Sequence, residues 1–223
     1  MGELTASLAH ELNQPLTSIL SNARAALRFI EKGTLDKDEL KEILQDIAAD
    51  DKRAGDIIRS VRSMVRAKEE EPELVAVNEV LQKVTRLFHS EAVIRNITVD
   101  VDLADSLPPV MISKVQLQQV VINLVMNAAE SMLDVSDDRR ITIRSSVENG
   151  MVQVAVCDFG VGIGEKDLPN IFEPFFTTKR SGLGLGLSLS RSIVEGWGGH
   201  IWARSNPDKG ATFFFNLAGV SRE

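Results

Sequence analysis

The sequence predicts an α+β protein, in which an antiparallel helical hairpin precedes a sandwich of helices on one mixed or antiparallel sheet. Two changes of pattern along the chain support this fold class. Apolar residues recur at helical spacing through the first 67 residues and give way to the charged run KEEEPE at 68–73. Beyond that run, apolar and polar residues alternate as in strands, and Asn149-Gly150 between two such runs favours a tight hairpin turn.

Two long helices are expected in the first part of the chain. The apolar residues of the first helix, from Leu4 to about Ile30, fall within an arc of roughly 160°, and Gly33 is expected to end it. The second helix continues to about Lys68, with apolar residues near heptad spacing. Because a lone hairpin buries little core, its apolar stripe predicts a homodimer in which two hairpins form a four-helix bundle.

The charged run contains a proline and predicts a break between two domains. We therefore place a helical hairpin domain at 1–67, a linker at 68–77 and a second domain at 78–223. The elements expected in the second domain are a strand within 96–103, helices near 113–133 and 185–197, and hairpins over 141–158 and 200–217.

Composition excludes several classes of protein. The net charge of −7 argues against a nucleic-acid binder, whose surface would carry a basic patch. One cysteine, Cys157, cannot form an internal disulfide, and three histidines are too few for a rich metal site. No apolar run is long enough to span a membrane, and no signal segment opens the chain. We expect a cytoplasmic fragment that lacks upstream segments, because helical periodicity already runs at Leu4; the sequence does not reveal whether the full-length protein is anchored in a membrane.

His10 lies in HELNQPL on the first helix, about 160° from the centre of the apolar arc, so it is predicted to face solvent. A surface imidazole is mostly neutral at cytosolic pH and is therefore nucleophilic. The carboxylate of the adjacent Glu11 can accept the Nδ1 proton and leave Nε2 to attack. An incidental histidine on a solvated polar face explains the same pattern equally well.

Asn123 and Asn127 lie four residues apart, on one face of a predicted helix. Amide oxygens are acceptable ligands for Mg²⁺, which prefers few protein ligands together with phosphate oxygens and water. Two surface asparagines without any such role also fit the pattern.

Two glycine-rich segments follow. In DFGVGIG, Asp158 comes directly after a predicted strand and can accept a hydrogen bond from an exocyclic amine such as that of adenine, while Gly160 and Gly162 permit close backbone approach to a ligand. Any glycine-rich turn after a strand would look similar. GLGLGL at 182–187 leads straight into a helix, so that backbone N–H groups at a helix N-terminus face a phosphate; it is not a Walker loop, because GxxxxGK[ST] is absent.

Between these segments, FEPFFTTKR carries Lys179 and Arg180. A cationic lid on a chain of net charge −7 indicates that an anionic ligand is held there. Core packing is the simpler explanation for one or two of the phenylalanines in this segment.

Taken in order, HELNQPL, NLVMNAAESM, DFGVGIG, FEPFFTTK and GLGLGLSLSRSIVEGWGG resemble the H, N, G1, F and G2 boxes of two-component sensor histidine kinases. The resemblance extends from about Leu4 to Leu217, nearly the whole chain. It implies a dimerisation and phosphoacceptor hairpin joined to an ATP-binding α/β sandwich domain of the Bergerat or GHKL type, which is a kinase core without its sensor.

The resemblance also implies a role for each matched residue. It makes His10 the phosphoacceptor and Glu11 its general base, and it makes Asn127 the principal Mg²⁺ ligand, with Asn123 near the metal and phosphates. The implied nucleotide contacts are Asp158 at the adenine amine with Gly160 and Gly162 beside it, Gly182, Gly184 and Gly186 around the triphosphate under a mobile lid, and Lys179 or Arg180 near its charge.

The implied reaction transfers the γ-phosphoryl group of Mg-ATP in line to His10 and then to an aspartate in the receiver domain of a response regulator. One position departs from the family pattern. Kinases of this class often carry Thr or Asn four residues after the histidine, where it orients a water that dephosphorylates the regulator. This chain has Gln14 there, about 40° around the helix from His10, and its longer side chain weakens the case for phosphatase activity.

Two other interpretations compete with the kinase. ATP-hydrolysing clamps such as gyrase, Hsp90 and MutL resemble the N, G1 and G2 boxes, but they activate water with a glutamate where this chain has Asn123, which cannot act as a base. A non-catalytic dimeric scaffold is disfavoured because all five boxes are intact; nucleotide binding without phosphotransfer would favour it.

Overall fold

The computed structural model describes residues 2–33, 36–66, 71–135, 138–179 and 184–220, without the side chains of 2–11, 56 and 59–66. Two compact units are present in it, one built on the residues up to Arg66 and one on the residues after them, and Thr178 and Lys179 group with the first. In the described part of the chain no helix is both long and apolar enough for a membrane span.

The first unit consists of two helices that pack on each other, α1 (Gly2–Lys32) and α2 (Lys37–Arg66). Gly33 ends α1 in the left-handed conformation, with φ of 65°, where a residue without a side chain is favoured. Asp36 begins α2, since its carboxylate accepts a hydrogen bond from the Lys37 N–H at 2.6 Å and its carbonyl accepts one from the Leu40 N–H. The predicted helical hairpin and the end of its first helix are confirmed.

Large apolar side chains remain exposed on this unit. Ala54 and Ile57 of α2 are buried. Among the side chains that the structure describes, the large exposed apolar ones are Leu16, Leu20, Leu27 and Ile30 on α1 and Leu44 and Ile58 on α2. A monomeric soluble protein seldom exposes so many large apolar residues on one small unit, so we expect this surface to be covered by a partner.

The second unit is a layer of helices on a mixed sheet, as the sequence predicts. Its elements in chain order are β1 (Glu73–Val75), α3 (Val77–Ile94), β2 (Thr98–Leu103), β3 (Val110–Ile112), α4 (Lys114–Glu130), β4 (Arg140–Glu148), β5 (Met151–Asp158), α5 (Gly186–Gly196), β6 (His200–Ser205) and β7 (Ala211–Ala218). Five strands form the main sheet in the order β2-β4-β5-β7-β6, and β1 and β3 form a separate antiparallel pair. Only the β2–β4 pairing in the main sheet is parallel.

Both predicted hairpins are present. Strands β4 and β5 join through Asn149 and Gly150, both with positive φ (52° and 77°), which the right-handed twist of a two-residue hairpin requires. Strands β6 and β7 pair in the same antiparallel manner. Residues 73–75, at the end of the segment we interpret as a linker, form β1 and pair with β3.

The core lies between one face of the sheet and the helices. Burial alternates strictly along β5 and β7, so every second side chain points towards the helical layer. Helix α4 lies deepest and is buried on more than one side; its buried apolar residues are Leu117, Val120, Val121, Leu124, Val125, Ala128 and Ala129. The C-terminal ends of β5 and α4 are thereby brought close together.

Candidate active site

A buried carboxylate marks the end of β5. Asp158 continues the inward-facing row of that strand and is only 1 % exposed. Its Oδ1 atom accepts hydrogen bonds from the Gly160 N–H at 2.9 Å, the Ser131 hydroxyl at 3.0 Å and the Ala211 N–H at 3.3 Å. Burial of a charged group is costly unless it is hydrogen-bonded, and these donors both offset that cost and fix the plane of the carboxylate.

The loop after Asp158 lies against the C-terminal end of α4. A Cβ at Gly160 would lie 2.1 Å from the Oγ and 2.6 Å from the carbonyl oxygen of Ser131, so only glycine allows this approach. Gly162 has φ of 76°, and a Cβ there would lie 3.2 Å from the Gly210 carbonyl oxygen. Both predicted glycines are therefore required by the backbone around Asp158.

The turn between β6 and β7 supports the same strand end from the other side. The Asn206 amide donates to the carbonyl oxygens of Asp158 and Lys209, each at 3.2 Å, and its Oδ1 accepts from the Thr212 hydroxyl at 2.7 Å. The Ser205 hydroxyl accepts a hydrogen bond from the Ile163 N–H in the glycine-rich loop and donates one to the Ile163 carbonyl oxygen. The sequence signals this turn only as a hairpin connection, NPDKG, and does not reveal that its asparagine holds the Asp158 backbone.

Asn123 and Asn127 lie one turn apart on α4, and both are half-buried. Asn123 Nδ2 donates to the carbonyl oxygen of Gly186 at 3.1 Å and lies 3.4 Å from the Ser190 hydroxyl oxygen. The first residue of α5 is therefore attached to α4 through an asparagine that the sequence identifies as a candidate metal ligand. The structure thus brings Asn123 and Gly186 of the predicted site together.

The two ends of the predicted lid also meet. Phe175 donates its N–H to the Gly184 carbonyl oxygen at 3.0 Å, and a Cβ at Gly184 would lie 2.5 Å from the Phe176 carbonyl oxygen. Gly184 also has φ of 65°, so glycine is required there on both counts. Lys179 is half-buried and groups with the helical unit, and Arg180 and Gly182 lie outside the described residues.

The candidate phosphoacceptor lies on α1. His10 and Glu11 are helical, but their side chains lie outside the described part of the structure, so the predicted solvent-facing imidazole stays a prediction. Gln14, one turn further along α1, is exposed.

The described residues offer amide oxygens on α4 as candidate ligands for a divalent cation. Among the residues that the structure describes, no group of three or more His, Cys, Asp or Glu side chains could hold a metal ion. Amide oxygens from α4, supplemented by phosphate oxygens and water, suit the coordination that Mg²⁺ prefers.

Two protein families match this chain. The His Kinase A (phospho-acceptor) domain matches residues 1–70, and the histidine kinase-, DNA gyrase B- and HSP90-like ATPase matches residues 112–219, which include α4, β5 and α5. The ATPase match implies that this domain binds ATP. The sensor histidine kinase TmoS of Ectopseudomonas mendocina is 37% identical over 97% of this chain, and the chain spans only 23% of that protein.

Solved structures agree with these matches. The catalytic domain of histidine kinase ThkA is 35% identical, with a TM-score of 0.61 over 67% of this chain and 96% of that domain. ThkA in complex with the response regulator protein TrrA is 30% identical, with a TM-score of 0.75 over 98% of this chain and 62% of that one. The ordered motifs, the buried strand-end carboxylate and these similarities together show that the chain belongs to the two-component histidine kinase family.

Proposed function

We propose that this chain is the catalytic core of an ATP-dependent protein-histidine kinase, which phosphorylates His10 and passes the phosphoryl group to an aspartate of a response regulator. The observation that carries the proposal is the buried Asp158 carboxylate, held by hydrogen bonds at the end of β5 inside a domain of an ATPase family. The phosphoacceptor-domain match over residues 1–70, which contain His10, supports the second half of the reaction.

Adenine recognition is assigned to Asp158, whose carboxylate accepts a hydrogen bond from the 6-amino group. Gly160 and Gly162 lie beside it in the loop, where the close contacts with Ser131 and Gly210 require residues without side chains. We assign the triphosphate to Gly182, Gly184 and Gly186, with Lys179 or Arg180 near its charge.

Asn127 is the principal Mg²⁺ ligand in this proposal, and Asn123 lies near the metal. Because the Asn123 nitrogen donates to Gly186, its Oδ1 is the atom that turns towards the cation. When bound, Mg²⁺ neutralises charge on the phosphates and holds them for in-line transfer.

At the phosphoacceptor, Nε2 of His10 attacks the γ-phosphorus while the bond from that phosphorus to the leaving ADP oxygen breaks. Glu11 accepts the Nδ1 proton of the imidazole. If that proton stayed on Nδ1, the phosphorylated ring would carry a positive charge. Gln14 lies one turn away and can hold a water by its amide, although its length makes it a weak candidate for dephosphorylation of the regulator.

The partners follow from the surface and the relatives. The exposed apolar residues of α1 and α2 support a homodimer through the helical hairpin. The ThkA structure contains a response regulator protein, which supports a receiver domain as the phosphoryl acceptor. We further expect a sensor region upstream of this core in the whole protein, and we expect the core to act in the cytoplasm, where its ATP is found.

Incubation with γ-labelled Mg-ATP tests the proposal directly. We expect label that is labile in acid and stable in base, as a phosphorylated histidine is, and that then moves to a receiver domain within a panel. His10→Gln should abolish labelling, while His89→Gln, at an exposed histidine on α3, should leave it unchanged. Equal labelling of His10→Gln and the parent would refute the assignment of the phosphoacceptor.

A further inference from the structure

Ser131 stands where α4 meets the loop that follows Asp158. It is the C-cap residue of α4, and its carbonyl oxygen accepts a hydrogen bond from the Val161 N–H at 3.2 Å. Its hydroxyl oxygen lies 3.0 Å from Asp158 Oδ1, and the missing side chain of Gly160 makes room for it. We propose that Ser131 is a positioning residue for adenine recognition, acting through the orientation of the Asp158 carboxylate. This inference rests on the proposed role of Asp158 in binding the 6-amino group.

The hydroxyl has two acceptors within reach but only one hydrogen to give. Ala128, one turn back on α4, offers its carbonyl oxygen at 2.8 Å, and Asp158 offers Oδ1 at 3.0 Å. A serine in a helix commonly bonds back to such a carbonyl, but an ionised carboxylate is the stronger acceptor. The hydrogen therefore goes to Asp158 when its carboxylate is ionised.

Among the three donors to Oδ1 described above, Ser131 alone uses a side chain. Gly160 and Ala211 donate from the backbone and are fixed by the loop and by β7. Loss of the Ser131 hydroxyl would remove the hydrogen bond that α4 makes to the Asp158 carboxylate. The two backbone N–H groups would then be the described donors that still orient it. Since Ser131 lies one turn beyond Asn127, it also ties the base-reading carboxylate to the helix that carries the proposed metal ligand.

The test compares two nucleotides in two proteins. Calorimetric affinities are measured for ATP and for purine riboside triphosphate, which lacks the 6-amino group, with the parent and with Ser131→Ala. If Ser131 acts through the contact of Asp158 with the amine, the substitution weakens ATP binding about tenfold, as expected for loss of a hydrogen bond to a charged group. Binding of purine riboside triphosphate should change by less than about twofold, since that ligand makes no such contact.

Each other outcome has a definite meaning. Equal weakening of both nucleotides would give Ser131 a general structural role and overturn the inference, as would an unchanged affinity for ATP. Equal affinity of the parent for the two nucleotides would instead refute amine recognition by Asp158, and the inference would fail with it.

Two further variants keep the result interpretable. Thr85→Ala removes a hydroxyl that donates to the Leu81 carbonyl on α3. It should leave the ratio of the affinities for ATP and purine riboside triphosphate, which measures the preference for ATP, at the parental value. If Ser131→Ala fails to fold, Ser131→Cys retains the side-chain shape with a weaker donor and should lower that preference by a smaller factor.

Discussion

The side-chain amide of Asn123 donates to the main-chain carbonyl oxygen of Gly186 at 3.1 Å and so attaches α4 to the first residue of α5. Because a carbonyl oxygen only accepts hydrogen bonds, the amide nitrogen must face it. The Ser190 hydroxyl completes the contact by donating to the same carbonyl at 2.9 Å. The nitrogen of this side chain thus anchors the glycine-rich start of α5, while its oxygen is the atom that the proposed function assigns to the metal.

Asn123→Asp separates these two roles. A carboxylate retains an oxygen for Mg²⁺ but has no hydrogen to donate to Gly186, and its charge would face the carbonyl oxygen. We expect ATP affinity to fall about tenfold while its dependence on Mg²⁺ persists. Calorimetry at several Mg²⁺ concentrations measures both quantities.

Ile122→Ala, at the exposed neighbouring position on α4, is the control and should bind ATP as the parent does. If Asn123→Asp bound Mg-ATP as tightly as the parent, the contact with Gly186 would have no bearing on nucleotide binding.

Asn127→Ala tests the residue that we propose as the principal Mg²⁺ ligand. Removal of the amide oxygen should abolish the increase in ATP affinity that Mg²⁺ produces, because the phosphates would then hold the cation without a fixed protein ligand. Titration of ATP into the variant with Mg²⁺ and with chelator measures this difference. An undiminished response to Mg²⁺ would assign the metal to other residues.

Gly160→Ala should disrupt the site through packing alone. The added Cβ would lie 2.1 Å from Ser131 Oγ and 2.6 Å from its carbonyl oxygen, so the loop or the end of α4 must move. Overpacking of this kind costs about 1–3 kcal/mol of unfolding free energy, and ATP affinity should fall with it. Urea unfolding and calorimetry provide the two measurements.

Gly196→Ala is the matched control for that substitution. Gly196 is the last residue of α5, and an added Cβ there meets nothing within 4 Å. Alanine in a helix is favoured over glycine by up to about 1 kcal/mol, so this variant should be as stable as the parent or more stable. A Gly160→Ala protein with parental stability and affinity would show that the close approach to Ser131 is not needed.

Elements whose sequence signal lies within one short segment were predicted. The Asn149-Gly150 turn and Gly33 at the end of α1 are examples, because the residue types themselves favour the positive φ values found there. The three-residue strands β1 and β3 were not predicted, because they are too short to show a period and form by pairing with distant parts of the chain. Helix α3 was also missed, although its buried residues recur at helical spacing; they are Val77, Val80, Leu81, Val84 and Phe88.

The candidate site divides in the same way. Asp158 and Gly160 were identified because a strand end followed by glycines is a local pattern. Their supports were not, since Ser131 lies 27 residues from Asp158 in the chain and Asn206 lies 48 residues from it. Such contacts depend on the assembled sheet, and no spacing rule along one segment encodes them.

The exposed apolar residues of α1 predict that the protein is a dimer in solution. Leu20 and Leu27 lie seven residues apart on one face of the helix and are 50% and 59% exposed. Burial of a leucine side chain is worth about 2 kcal/mol, so a Leu20→Glu, Leu27→Glu double variant should sediment as a monomer at micromolar concentration, where the parent sediments as a dimer. Val147→Glu, at an exposed apolar position on β4, should keep the dimer mass. A monomeric parent would contradict association through the hairpin, and a dimeric double variant would place the interface away from this face of α1.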